Sequence, residues 1–349
     1  MNVVVIGAGA IGGYLGGRLA LAGHWVTLVD RPATAAALNA NGLTITQDGM
    51  TEVAPLRAVG RLAEAFDGPP PELIVLGMKA YDLATAVAEL AAVCPQPATL
   101  LTTQNGIGVE EIVAAPFGAE RVLAGTVTIP ISRAGATGVA VERAGRGLAI
   151  APVAAGRSVA DWVALFAAAG IRAGALADYR AMKWSKAFLN VMGNATSAIL
   201  NRPPAELYRR DDIFDLEMRM LREMLAVMKR LDLRIVNLPT ASVRPLAATL
   251  AYAPRILRRI VFTQVIVHGR GDKMPSFHID LAAGKGRSEV AFHNGAIAAA
   301  ARECGLAAPV NTALNDVLLR LTADEAARAE FDGRPERLLA EVARHERGG

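Results

Sequence analysis

Gly7-Ala8-Gly9-Ala10-Ile11-Gly12 constrains this chain more than any other feature. The hexapeptide fits G-x-G-x-x-G, and it sits between an apolar run, Asn2 to Ile6, and a helical stretch from Ile11 to about Ala22. The pattern alone is common, but strand, glycine turn and helix in that order form the setting of a dinucleotide-binding unit. The first glycine makes the tight turn, the second lets the backbone approach a pyrophosphate, and the third lets helix pack on strand. The N–H groups around Gly9, Ala10 and Ile11 then face the phosphates at the positive end of the helix dipole. The next strand, Trp25 to Val29, ends in Asp30-Arg31. An acid there favours a ribose 2′-hydroxyl and hence NAD, whereas an arginine accommodates a 2′-phosphate and hence NADP. Both are present, so the rule leaves the two cofactors open.

A length of 349 residues sets a prior of two domains, and 52% hydrophobic with 20% charged residues describes a folded chain with a large core. In the first half, apolar runs at Asn2 to Ile6, Trp25 to Val29, Leu73 to Met78 and Thr99 to Thr103 alternate with helical patterns such as Leu83 to Val93. This alternation predicts a parallel sheet covered on both faces. Short β-rich runs at Val122 to Ile131, Val139 to Glu142 and Leu148 to Ala151 read as antiparallel strands extending that sheet. A helix over Val159 to Ala169 and a strand near Ile171 to Leu176 close the domain. Beyond Asp178 apolar residues recur at three- and four-residue spacing, in Phe188 to Leu200, Phe214 to Leu231 and Val290 to Ala301, which predicts helices. The expected fold is therefore an α/β Rossmann-like domain over residues 1–177 and an all-helical domain over 178–349. The charged tail after Asp332 is expected to fray.

The remaining composition excludes several classes. The net charge of +4 is small and unclustered, so nucleic acid is not an expected partner. Two cysteines, Cys94 and Cys304, give no disulfide framework and no cysteine-based zinc site. The histidines lack metal-ligand spacing, so no metal is expected. The longest uncharged stretch, Leu90 to Val109, is broken by Pro95, Pro97 and Gly106, and the start of the chain has no basic leader. A cytoplasmic protein without membrane segments is the expectation.

Lys186, Asn190 and Asn194 share one helix face by spacing, since eight residues drift only about 80° while climbing about 12 Å. Among Phe188, Leu189, Val191 and Met192 such polar groups are costly without partners. They either bind a ligand or bond neighbouring helices. Lys79 and Asn105-Gly106 follow apolar runs and so stand at C-terminal strand ends, where open α/β sheets bind ligands. Glu289 opens the helix that continues through Val290, where it either serves a ligand or favours the helix dipole.

These residues resemble the ketopantoate reductases (2-dehydropantoate 2-reductases) over nearly the whole chain. The landmarks run in order: the glycine motif; Met78-Lys79-Ala80-Tyr81-Asp82; Gln104-Asn105-Gly106; Trp184-Ser185-Lys186 with Asn190 and Asn194; Ser276 with Asp280; and Ser288-Glu289-Val290 leading to Asn294-Gly295. The resemblance implies a Rossmann-like domain, a helical domain and an active site in the cleft between them. It implies NADPH-dependent reduction of ketopantoate to pantoate, on the way to pantothenate and coenzyme A. Lys186 would be the general acid. Asn190, Asn194 and Ser276 would orient the substrate, and Glu289 would bind its hydroxyl and help place the lysine. Lys79 and Asn105 would line the nicotinamide end, with Asn105 also near the substrate. An ammonium aimed at a ketone oxygen stabilises the charge that hydride transfer creates there and supplies the proton.

The sequence departs from the family at Asp30, where a small residue is more usual, so NADH stays open beside NADPH. Ala291 stands where an aspartate is expected, next to His293. The stretch 201–276 is long and carries Arg255, Arg258 and Arg259, read as a solvated face, a lid or a dimer contact. A same-fold reductase of another 2-oxo acid or ketone is thus the alternative. A non-catalytic NAD(P)-binding regulator is opposed by the intact set Lys186, Asn190, Asn194, Ser276 and Glu289. The expected partner is a small 2-oxo acid, with a homodimer left open.

Overall fold

The computed structural model describes residues 1–143, 145–270 and 273–347. By their contacts the residues form two units, Met1–Met182 with Leu238–Ala241, and Lys183–Asn237 with Ser242–Gly349. The sequence reading draws a boundary at residue 177, whereas the contacts divide the chain inside a helix that starts at Tyr179. Its first turn stays with the first unit, where the Tyr179 hydroxyl donates to Glu111 (3.0 Å).

The strands of the first unit are β1 (Asn2–Ile6), β2 (Trp25–Val29), β3 (Leu43–Gln47), β4 (Met50–Ala54), β5 (Arg57–Val59), β6 (Leu73–Leu76), β7 (Leu100–Thr102), β8 (Val122–Val127), β9 (Ile131–Ala134), β10 (Gly138–Val141), β11 (Leu148–Pro152) and β12 (Ala173–Ala175). Its helices are α1 (Ala10–Leu21), α2 (Pro32–Asn41), α3 (Leu83–Val93), α4 (Val109–Phe117) and α5 (Ala160–Ala168). The main sheet runs β12-β11-β8-β7-β6-β1-β2-β5. From β8 to β5 all pairings are parallel, and β6 is buried along its whole length, as its unbroken apolar sequence requires. The chain goes from β1 to β2 on one side and later returns to β6 on the other. That reversal opens a crevice at the C-terminal ends of these strands.

The β-rich runs after Arg121 do not all extend this sheet. β8 joins it parallel to β7, and β11 runs antiparallel to β8, with β12 parallel to β11 at the edge. The β9–β10 hairpin leaves and forms a second sheet, β4-β3-β10-β9. The reason lies in α1, which packs against both sheets. A Cβ at Gly16 would sit 3.0 Å from Val5 Cγ2 in the main sheet, and one at Gly17 2.7 Å from Ile45 Cδ1 in the second. A glycine inside a helix costs about 1 kcal/mol relative to alanine. Burial of Val5, Leu28, Leu43, Ile45 and Val139 around this thin helix offsets that cost.

The second unit contains α6 (Tyr179–Val191) from Lys183 on, α7 (Asn194–Leu200), α8 (Pro204–Leu207), α9 (Asp211–Arg230), α10 (Val243–Tyr252), α11 (Arg255–Arg270), α12 (Ser276–Ala282), a 3-10 turn at Glu289–Phe292, α13 (Asn294–Glu303), α14 (Pro309–Ala323), α15 (Arg328–Phe331) and α16 (Pro335–Arg347). Asp211 and Asp212 open α9 and Lys229 and Arg230 close it, which suits the helix dipole at both ends. Up to Arg347 the tail after Asp332 forms α16 rather than fraying. Leu338 and Val342 of α16 are buried, and its Glu341 pairs with Arg344 (3.1 Å) and with Arg320 of α14 (3.5 Å). Among the described residues no helix is long and apolar enough to cross a membrane.

The closest approach in the first unit is at Gly12, where a Cβ would lie 2.0 Å from the Gly7 carbonyl oxygen. A backbone atom cannot yield as a side-chain tip can. Gly12→Ala is therefore expected to cost about 2 kcal/mol or more of stability in urea denaturation. Gly13→Ala, facing the Cγ1 of Val139 at 3.2 Å, should change it by less than about 1 kcal/mol.

Candidate active site

The glycine loop is fastened where it leaves β1. Gly7 N–H donates to Val29 O and Gly77 N–H to Ile6 O, each at 2.8 Å. Gly7 adopts φ +97°, and a Cβ there would meet Met78 N at 2.8 Å. At Gly9 the nearest atom to such a Cβ is Gly77 O at 3.8 Å, so the loop is open on the side a pyrophosphate would approach. No side chain caps α1 at Gly9, which leaves first-turn N–H groups of Ala10 and Ile11 for a ligand. The residues present therefore fit a bound dinucleotide.

The Asp30 carboxylate accepts from Ala8 N–H (2.7 Å) and from Arg31 N–H (2.8 Å). It is largely enclosed, and the Arg31 side chain beside it is exposed, with Nε 3.8 Å from Asp30 Oδ1. Asp30 thus holds the glycine loop as well as standing at the end of β2.

Lys79 and Asn105 follow β6 and β7, which pair in register at Leu76 and Thr102. Both side chains are half-buried. The two strand ends are tied by Thr103 Oγ1 and Gln104 Nε2, which donate to Leu76 O at 2.7 and 2.8 Å, and Gln104 also reaches Met78 O (3.2 Å). Gln104 is the positioning group of this corner, and its sequence signal is its place beside Asn105.

In the second unit the predicted single helix face is interrupted. α6 ends at Val191, Gly193 turns left-handed at φ +63°, and α7 restarts at Asn194. Lys186 and Asn190 keep their four-residue spacing on α6, but Asn194 lies beyond the break. The break is fixed by Glu217 of α9, only 1% exposed. Its carboxylate accepts from Gly193 N–H (2.9 Å), Thr196 Oγ1 (2.6 Å) and the Tyr208 hydroxyl (2.9 Å). Sequence analysis missed this residue. Its signal is an acid on the apolar stripe Ile213, Glu217, Met220, Met224 of α9.

Asn194 and Ser276 come together. Asn194 is buried, its Oδ1 accepts Phe277 N–H (3.2 Å) and its Nδ2 reaches Ser276 Oγ (3.5 Å), so it fixes the start of α12 with Ser276 exposed. Glu289 is buried in the 3-10 turn, where Ser288 Oγ accepts Val290 N–H (3.2 Å). The helix predicted to continue from Glu289 does not, because His293 (φ −116°, ψ −94°) separates the turn from α13. The His293 ring packs on Phe277 with centroids 5.3 Å apart, joining this turn to α12. Asn294 is structural: it donates to Asn311 Oδ1 (3.0 Å), and Asn311 in turn bonds Met220 O and Glu223. Burial pushes the Glu223 carboxyl up, while the N–H groups of Asn311 and Val310 pull it down.

Glu217→Ala leaves three donors stranded in the core. A loss of about 3 kcal/mol in urea denaturation is expected, roughly 1 kcal/mol for each. Glu217→Gln, which keeps one acceptor oxygen, should lose less.

The chain matches two family models, "Ketopantoate reductase PanE/ApbA" over residues 3–153 and "Ketopantoate reductase PanE/ApbA C terminal" over residues 178–321. The 2-dehydropantoate 2-reductase of Mesorhizobium japonicum is 29% identical over 259 residues, 67% of this chain and 78% of that protein. The enzyme of the same name from Archaeoglobus fulgidus is 28% identical over 319 residues, 90% of this chain and 95% of that one. Among solved structures, a PanE/ApbA family ketopantoate reductase from Ralstonia eutropha superimposes with a TM-score of 0.78 at 28% identity, covering 93% of this chain and 99% of that one. A D-mandelate dehydrogenase solved with NADH and anilino(oxo)acetate shares the fold at TM-score 0.77 and 21% identity, with the same coverage. The α/β unit with its glycine loop, the helical unit and both family matches lead to one conclusion: the chain belongs to the ketopantoate reductase family of NAD(P)H-dependent oxidoreductases.

Proposed function

We propose that this protein is a cytoplasmic reductase that converts 2-dehydropantoate to pantoate with NADPH, supplying pantothenate and coenzyme A synthesis. The observation that carries this reading is the Asn194–Ser276 contact, which joins α7 to α12 beside the helix bearing Lys186 and Asn190. In this reading residues 1–177 hold the dinucleotide and residues 178–349 carry the substrate-binding groups. When bound, the dinucleotide supplies a hydride to the ketone carbon. The Lys186 ammonium hydrogen-bonds the ketone oxygen and gives it a proton as negative charge develops there. Asn190 and Ser276 orient the carboxylate and hydroxyl of the substrate, and Asn194 acts through Ser276 by fixing the start of α12. The Glu289 carboxylate accepts from a substrate hydroxyl and offsets the cost of keeping the lysine charged away from bulk water. Lys79 and Asn105 serve the nicotinamide end, and Gly7, Gly9, Ala10, Ile11 and Gly12 the pyrophosphate.

NADH is a second reading for the reductant, favoured by the enclosed Asp30 carboxylate. A fixed negative charge at the end of β2 repels a 2′-phosphate that Arg31 would attract. Asp30→Asn keeps a carbonyl for Ala8 N–H and removes the charge. It should raise the ratio of kcat/KM for NADPH over NADH by about tenfold.

The central test follows nicotinamide oxidation with 2-dehydropantoate and a panel of other 2-oxo acids. Preferred turnover of 2-dehydropantoate is expected, with Lys186→Ala lowering kcat by about a thousandfold and leaving the cofactor Kd within a few fold. Preference for another 2-oxo acid would replace the substrate and retain the chemistry. Cofactor binding with no turnover of any of them would make the protein a nucleotide-binding regulator.

A further inference from the structure

We propose that the pocket between α9 and α11 is a binding site for a small soluble molecule that carries a phosphate group. Such a site accounts for arginines of the stretch 201–276 that the reaction does not use.

The pocket lies wholly in the second unit and has a volume of about 250 Å³. Asp215, Arg219 and Arg222 line it from α9, and Arg255 and Arg258 from α11. Steps of three and four residues put each set on one face of its helix. Phe214 and Met218, both buried, form an apolar floor. Two residues of helix turn about 200°, so Glu217, which fixes the break between α6 and α7, stands on the other side of α9 from Asp215 and Arg219.

The charged groups of the lining are not equally engaged. Arg255 donates twice to Asp215, at 3.1 and 3.0 Å, so the acid of the lining is neutralised. Arg219 pairs with Glu346 of α16. Arg259, outside the lining, bonds Asp211 and the Arg209 carbonyl. Among the described residues, neither Arg222 nor Arg258 has a carboxylate within ion-pair distance. The Nε of Arg258 is shielded from solvent and has no hydrogen-bond partner among them. The two guanidinium groups also act on each other. Partial desolvation and then the Arg258 charge push Arg222 below its ordinary value, against the pull of Asp215. Folding therefore brings two like charges together over an apolar floor, an arrangement that an anion would relieve.

The donors select the kind of anion. A guanidinium presents a flat fork of N–H groups that matches phosphate oxygens two at a time. A phosphate ester carries about −1.5 to −2 charges near pH 7, which balances the two cations left over. A single carboxylate supplies half of that. Pockets for drug-sized ligands start at roughly 300 Å³, so this one suits a phosphate on a small organic group.

Isothermal titration calorimetry of the full chain, with inorganic pyrophosphate and with glycerol 3-phosphate at fixed ionic strength, tests the site. Both probes are expected to bind. Arg222→Gln and Arg258→Gln should each raise the Kd about tenfold or more, with unchanged helical circular dichroism. Arg302→Gln, which removes an exposed charge on α13, should leave the Kd unchanged. Pyrophosphate should raise the Tm of the wild type and not that of the double variant Arg222→Gln/Arg258→Gln. A probe held at the glycine loop would survive both substitutions, so binding that they leave unchanged would overturn the proposal. So would a wild type that binds neither probe, including one captured only by phosphatidic acid vesicles. These readouts need no turnover and therefore stand apart from the proposed reaction.

Discussion

The first unit depends on how closely α1 can approach the backbone of β1 and the turn that follows it. Gly12 touches the Gly7 carbonyl, and Gly16 and Gly17 bring sheets in from two sides. Because the helix is thin, its N-terminus sits directly on the turn after β1. Its free N–H groups and dipole then face the crevice at the strand ends. The same thinness makes room for β3, β4, β9 and β10 as a second sheet. Packing and topology in this unit both follow from glycines that lower helix propensity.

The second unit is organised by buried polar groups rather than by shape alone. Glu217 takes three hydrogen bonds where α6 and α7 part, and Glu223 accepts the N–H groups of Val310 and Asn311 at the start of α14. An unsatisfied buried group is expensive, so each carboxylate permits only the arrangement that supplies its donors. The left-handed turn at Gly193 is one consequence, and it sets where Asn194 meets α12. Raised by burial, Glu223 binds a proton more readily in the folded chain than in the unfolded one. Its contribution to stability therefore falls as pH rises above its unfolded value.

This division of labour suits a reductase. A dinucleotide needs backbone donors on rigid strand ends, where Gln104 and Thr103 hold the Lys79 and Asn105 corners together. A small oxo acid needs side-chain donors and acceptors, which helices present at defined spacing. In the proposed reading Asp30 joins stability to selectivity, since the carboxylate that secures Ala8 N–H stands at the strand end where a ribose would be read.

The sequence by itself determined the alternating α/β half, the glycine turn, the helical half and the residue types of the candidate site. Each is written in local patterns: unbroken apolar runs, G-x-G-x-x-G, and three- and four-residue spacing. Only the tertiary structure decided that β9 and β10 leave the main sheet, because strand partners are chosen by which surfaces α1 leaves uncovered. Only it decided that Lys186, Asn190 and Asn194 do not share one continuous helix, and that Glu289 stands in a separate turn before α13. No local signal marks those breaks strongly. Glycine and asparagine occur within helices as well, and what ends α6 is a carboxylate on α9, 24 residues further along the chain. Likewise Leu338 and Val342 order a tail that is charged enough to look free, because their partners lie on helices formed earlier in the chain.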